Sequence, residues 1–251
     1  VTRWCVLPKG VSKPIVGDRF HVNTEAILNV NPDIILIQQN PQDFGALKKI
    51  KPNVKIYHFT INTLEDIASA IERIGKIVGN VELGRRRRKE FEDKLESVRR
   101  SVAGLKKVRV VFLDGFERPM VHGKGTFIGE MIELAGGINA SAEKYNGWAM
   151  VSNEAVIALR PDVLICLVNP SQSVQARKHW NTLTDIPAVR NGKVFILTDR
   201  RWSIPSTLSA KFTEQLARMI HPNVFSTHRD KKKELKHWTT TQATSKVRSS
   251  R

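Results

Sequence analysis

The sequence is short of cysteine, of acidic residues and of long apolar runs. Its two cysteines, Cys5 and Cys166, are too few for a disulfide-stapled scaffold or a four-cysteine zinc site. No stretch nears the roughly 18 uninterrupted apolar residues that a membrane-spanning helix needs. The opening VTRWCVLPKG has neither a basic leader nor an apolar run, so no signal peptide is expected within it. Gly-x-Ser-x-Gly is absent, and no Ser, His and Asp stand in a motif context for nucleophilic catalysis, so no enzyme is expected. The seven histidines show neither His-x3-His nor His-Glu-x-x-His spacing, which argues against a protein-built metal site.

What the chain does have is 251 residues, enough for a sizeable core, and 41 basic residues against 24 acidic ones. The net charge of +17 calls for an anionic partner or surface to be considered. Residues 226–251 hold eight basic and two acidic residues and almost nothing to bury, so a disordered basic tail is expected there. The densest basic run elsewhere, RRRRK at 85–89, points all round a helix axis and has Glu90, Glu92, Asp93 and Glu96 beside it. It reads as a solvated helix face, and KKKELKHW in the tail is the better candidate for nucleic acid or anionic lipid.

Ahead of the tail, short apolar runs at 34–38, 54–59, 108–113, 163–168 and 194–197 alternate with helix-period stretches. This alternation predicts an α/β fold with mostly parallel pairing. Leu64, Ile67, Ala68, Ile71, Ile74 and Ile77 are spaced for a helix that Gly79-Asn80 interrupts. From 81 to 102, Phe91, Leu95, Val98 and Val102 mark one narrow apolar stripe on an otherwise charged helix that reads as a connector.

The strongest signal is internal. NTEAILNVNPDIILI at 23–37 and SNEAVIALRPDVLIC at 152–166 align at a shift of 129 residues, matching Glu25 with Glu154, Ala26 with Ala155, Pro32 with Pro161 and Asp33 with Asp162. Each copy reads as a short helix with Glu in its first turn, ended by Pro-Asp and followed by a buried strand. Two similar α/β lobes with mostly parallel sheets, joined by one long helix, follow as the simplest architecture. The expected boundaries are an N-terminal lobe at 1–79, the bridging helix at 80–104, a C-terminal lobe at 105–225 and the tail. A cleft between lobes is the expected ligand site.

These segments, with VTRWC at the start, GKGTFIGEMIELAGGINA from Gly123, GWAMVSNEAVIALRPDVLI from Gly147 and a late MIHPNVF, resemble the iron-chelate and vitamin B12 class of ABC-transporter substrate-binding proteins. The resemblance covers nearly all of 1–225. It departs at the start, where family members have a further strand and helix, so an incomplete N-terminal lobe is expected. It implies capture of an iron chelate (siderophore or heme) or cobalamin, with no intrinsic cofactor, and delivery to an ABC permease in the inner membrane. It also implies a monomer with small lobe closure, in the periplasm or as an extracytoplasmic lipoprotein. The permease-docking residues carried onto the repeat are Glu25 and Glu154. On physics alone, the favoured reading is that each Glu serves only its own helix N-terminus.

Ligand-contact candidates are Trp148, six residues before Glu154, and Arg19, six before Glu25, which would set an indole opposite a guanidinium suited to an anionic chelate. Trp4, Gln38, Glu117, Arg118 and Trp202 complete the set, each with a packing or solvated-loop role as the plain alternative. His21 and His122 are read as cleft-loop residues within reach of an iron chelate. Gly123, Gly125 and Gly129 are one residue too widely spaced, and too far past their strand, for a dinucleotide fingerprint. Cys166 is expected to be buried and inert, and Cys5 a free thiol or a packing residue. The rival readings are a basic nucleic-acid-associated α/β protein and a truncated paralogue that binds nothing.

Overall fold

The structure is a computed structural model, and it describes residues 1–18 and 21–225. The expected basic tail at 226–251 lies outside the described residues. The chain divides into two compact units, Val1–Arg88 with Ile204–Ser206, and Lys89–Ser203 with the residues from Thr207 onward.

In the first unit, α1 (Thr24–Val30) leads into β1 (Ile34–Ile37), then α2 (Gly45–Ile50), β2 (Lys55–His58) and α3 (Leu64–Ile77). β1 and β2 pair in parallel, Ile34 opposite Lys55 and Ile37 opposite His58. Ile27, Ile37, Phe44, Leu47 and Val54 form the core beneath them. The start of α3 is fixed by a reciprocal cap. The Asp66 amide donates to Thr63 Oγ1 at 3.1 Å, and Asp66 Oδ2 accepts from the Thr63 and Asn62 amides, each at 2.9 Å. Burial pushes the Asp66 carboxyl up, but these donors outweigh it and hold the group below its usual range.

Between α3 and α4 (Val81–Ser101), Gly79 takes φ +75°, a left-handed turn that glycine adopts without a Cβ penalty. The two helices then pass so closely that a Cβ on Gly75 would lie 2.6 Å from the Gly84 Cα. At 21 residues, α4 runs for ~32 Å. Phe91, Val98 and Val102 are buried, the stripe expected from the sequence.

The second unit is built on β3 (Val108–Asp114), β4 (Met120–His122), α5 (Phe127–Leu134), β5 (Gly137–Asn139), β6 (Trp148–Met150), α6 (Asn153–Ala158) and β7 (Val163–Leu167). It continues through α7 (Ser173–Thr182), α8 (Pro187–Arg190), β8 (Val194–Leu197), α9 (Ser209–Ile220) and α10 (Pro222–Phe225). The sheet order is β6-β4-β3-β7-β8, with β5 beside the start of β3. β3, β5, β7 and β8 pair in parallel, while β4 joins β3 and β6 antiparallel. All five residues of β7 are buried, as a strand covered on both faces requires. The fold is thus α/β with mostly parallel pairing. The five apolar runs are strands, and three further strands of three residues each accompany them.

Candidate functional site

The doubled segment folds twice in the same way. Asn23 Oδ1 accepts from the Ala26 amide at 2.9 Å to start α1, and Ser152 Oγ accepts from the Ala155 amide at 3.3 Å to start α6. Each helix closes on a left-handed residue, Asn31 at φ 50° and Arg160 at φ 48°, the two positive-φ positions other than glycine among the described residues. Pro32-Asp33 and Pro161-Asp162 then lead into β1 and β7 at the same offset. Glu25 and Glu154 stand exposed in the first turns of their helices. The Ser152 hydroxyl, and next the backbone amide of Glu154 itself, hold the Glu154 carboxyl below its usual range, so it stays anionic at neutral pH.

The copies differ in what surrounds them. β7 lies between β3 and β8, whereas β1 pairs with β2 alone. The second copy is also clamped by Arg109. Its guanidinium donates to both Glu143 carboxylate oxygens, at 2.6 and 3.0 Å, and to the Leu159 carbonyl, while its amide donates to Asp162 Oδ2.

In the first unit, hydrogen bonds gather three loops near the carboxyl end of β1. The Arg3 amide donates to the Gly17 carbonyl at 3.2 Å, Gly17 and Val22 form an antiparallel bridge, and Gln39 Nε2 donates to the Asp18 carbonyl at 3.0 Å. This places Trp4, 51% exposed, on a segment tied to Gly17, with exposed Gln38 beside Gln39 at the end of β1. Arg19 lies outside the described residues. His21 is exposed, its ring 3.4 Å from Asp18 Oδ1.

In the second unit, Glu117 and Arg118 are exposed in the turn beyond the carboxyl end of β3, where open α/β sheets place ligands. Trp148 is 51% exposed on β6. Trp202 is 4% exposed, with its ring stacked on Phe212 at 4.4 Å between centroids and tilted against Phe112, so little of its surface is open. His122 corrects the expectation of a cleft loop. It ends β4, is 5% exposed, and its Nε2 lies 3.0 Å from Asp114 Oδ2, while Ser203 Oγ donates to Asp114 Oδ1 at 2.7 Å. Sequence reading missed this network because its members are far apart in the chain. It also missed the exposed thioether of Met150, although the alternation in Trp148-Ala149-Met150 carried that signal.

The glycine-rich segment is occupied by structure. The Gly123 amide donates to the Gly147 carbonyl at 2.7 Å, a Cβ there would lie 2.1 Å from the Tyr145 oxygen, and Thr126 Oγ1 caps α5 by accepting from Gly129. The Cys166 thiol is pushed up to about 12, chiefly by burial, and is unreactive. Cys5 is exposed. Among the described residues, no group of three or more His, Cys, Asp or Glu could hold a metal ion, and no helix is long and apolar enough to cross a membrane.

The doubled α/β unit presents a glutamate at each capped helix, and exposed Gln38, Glu117 and Arg118 stand beyond strand ends, an arrangement that can bind a small molecule. A family model described as periplasmic binding protein matches residues 1–201, and the chain belongs to that family, in its iron-chelate and vitamin B12 class of ABC-transporter substrate-binding proteins. It is 26% identical over 229 residues to an uncharacterized ABC transporter substrate-binding lipoprotein, YvrC, of Bacillus subtilis (87% of this chain, 71% of that one). It is 24% identical over 213 residues to a vitamin B12-binding protein of Vibrio cholerae (83% and 75%). Among solved structures it is similar to the periplasmic heme-binding protein RhuT of Roseiflexus, with a TM-score of 0.73, 22% identity and 84% of each chain covered. The vitamin B12-binding protein BtuF of Vibrio cholerae has a TM-score of 0.70 at 22% identity, covering 84% of this chain and 83% of that one. At such identities these two likenesses concern the fold.

Proposed function

We infer that this protein captures an iron chelate (siderophore or heme) or cobalamin outside the cytoplasm and delivers it to the permease of an ABC importer in the inner membrane. It acts as a monomer, makes and breaks no bond, and binds no nucleic acid specifically. The observation that carries this reading is the twice-built helix with an exposed glutamate in its first turn, Glu25 and Glu154. Two carboxylates on separate units suit docking to cationic side chains of one rigid partner. Membership of a family of binding proteins, with a B12-binding relative and heme-binding structural neighbours, supports the ligand class. Trp4, Arg19, Gln38, Glu117, Arg118 and Trp148 are the proposed ligand contacts, and Trp202 acts through the packing of its ring.

The test separates capture from delivery. Reversing the charge of Glu25 and Glu154 together should abolish uptake in cells while leaving ligand affinity, read by tryptophan fluorescence, within about twofold. Uptake that survives the double reversal defeats the docking roles. Failure of the unmodified chain to bind cobalamin, heme and ferric siderophores alike defeats the capture reading.

A further inference from the structure

Helix α6, which carries Glu154, has six residues, too few to hold a helical turn by itself, so its order comes from the partners at its two ends. The last turn is held by Arg109, whose guanidinium donates to the Leu159 carbonyl at 3.0 Å. The first turn is held by α7. His179 Nε2 lies 3.3 Å from Oδ1 of Asn153, the residue immediately before Glu154. A carbonyl oxygen only accepts, so Nε2 carries the hydrogen in this contact. The imidazole has little freedom to leave it. Its ring meets Trp180 edge-on at 5.0 Å and is tilted against Phe116 at 5.5 Å, and both of those side chains belong to the buried core of the second unit. The first copy of the doubled segment has Thr24 where the second has Asn153, and this contact has no counterpart there among the described residues.

We propose that His179 is a positioning residue for permease docking: by tying Asn153 to a rigid aromatic cluster, it fixes the first turn of α6 and with it the place at which Glu154 meets the partner. This rests on the docking role of Glu154 and adds the residue that aims it. The contacts run without a gap through the turn. His179 meets Asn153, and the neighbouring Ser152 accepts from the Ala155 amide at 3.3 Å while its hydroxyl donates to the Glu154 carboxylate. A turn free to fray loses both Ser152 contacts, and the cost of ordering it then falls on the docking step. A leucine would fill the apolar side of position 179 as well as histidine does. What the imidazole adds is one hydrogen bond directed at the residue that precedes Glu154.

The experiment compares His179→Leu, His179→Gln and Glu154→Gln in the full chain. The Glu154 carboxyl is titrated by NMR, and transport of hemin and cyanocobalamin into vesicles holding the permease is measured against the concentration of loaded chain. With His179→Leu the carboxyl should titrate higher than in the unmodified chain, because the Ser152 hydroxyl and the Glu154 amide hold it less firmly. The concentration of loaded chain for half-maximal transport should rise about two- to tenfold, the effect of one hydrogen bond, with the maximal rate and the ligand affinity unchanged. His179→Gln, whose amide donates from a similar place, should recover most of both changes, and circular dichroism checks that each variant keeps the fold. Unchanged titration and transport in His179→Leu, or a loss that His179→Gln does not recover, overturns the positioning role and leaves docking standing. Transport by Glu154→Gln equal to that of the unmodified chain overturns the docking reading and this proposal with it. The carboxyl titration needs no permease, so it tests the tie by itself in either case.

Discussion

Arg160 carries a cost that its counterpart Asn31 avoids. Both close their helices at φ near 50°, and both precede a proline. A Cβ in the left-handed region costs about 1–2 kcal/mol, which asparagine softens through local hydrogen bonding. Asn31 also accepts from the Lys51 ammonium. Arg160→Gly should therefore stabilise the protein by up to about 1 kcal/mol, raising Tm by roughly 2–3 °C after the entropy gained by the unfolded chain is subtracted. Asn31→Gly should be neutral or destabilising. Thermal unfolding of the two variants checks this, and a lower Tm for Arg160→Gly would refute it. At this scale sequence reading also met its limit. Trp202 sits in RRWSIPS, which looks like an exposed loop, yet it is buried with its ring against the distant Phe212 and Phe112. His122 likewise looks like a loop residue in the sequence, because its strand has three residues, too few to show a period.

Among elements, legibility followed length and locality. β1, β2, β3, β7 and β8 are runs of four or more mostly apolar residues bounded by polar or turn residues, so they announce themselves. β4, β5 and β6 exist because partners elsewhere in the chain complete their hydrogen bonds. The break between α3 and α4 was legible in Gly79-Asn80, whereas the closeness of the crossing, set by Gly75 and Gly84 together, was not. That crossing and the open start of α2 give a contrasting pair of substitutions. Gly45 begins α2 with helical φ and nothing within 4 Å of its would-be Cβ, so Gly45→Ala should stabilise by about 0.4–1 kcal/mol. Gly75→Ala would place its Cβ 2.6 Å from the Gly84 Cα and 2.9 Å from the Asn80 oxygen, both backbone. Neither can rotate away, so a loss of roughly 1–3 kcal/mol is expected despite alanine's better helix propensity. Chemical denaturation measures both, and equal effects would mean that the helices separate freely.

For the whole molecule, the doubled motif was the most informative feature because it compares the chain with itself and needs no assumption about packing. The net charge of +17 was the least informative, since α4, the densest basic stretch among the described residues, has many of its cations paired with carboxylates. Arg88 pairs with Glu65 and Glu72, Lys89 with Asp93, Lys94 with Glu214, and Arg99 and Arg100 with Glu96. A phosphate-binding surface would have to break these pairs. Duplex DNA held by six or more phosphate contacts loses about 10³–10⁵ in affinity between 50 and 200 mM salt. A small ligand met by one or two cations should change by less than about threefold over that range. Any retention on polyanions should fall sharply when the chain is cut after Phe225, because the removed segment carries +6 of the charge. Ligand affinity should be untouched by the same cut. DNA binding that persists in the shortened chain at 200 mM salt, with macrocycle binding absent, would move the function from capture to nucleic acid.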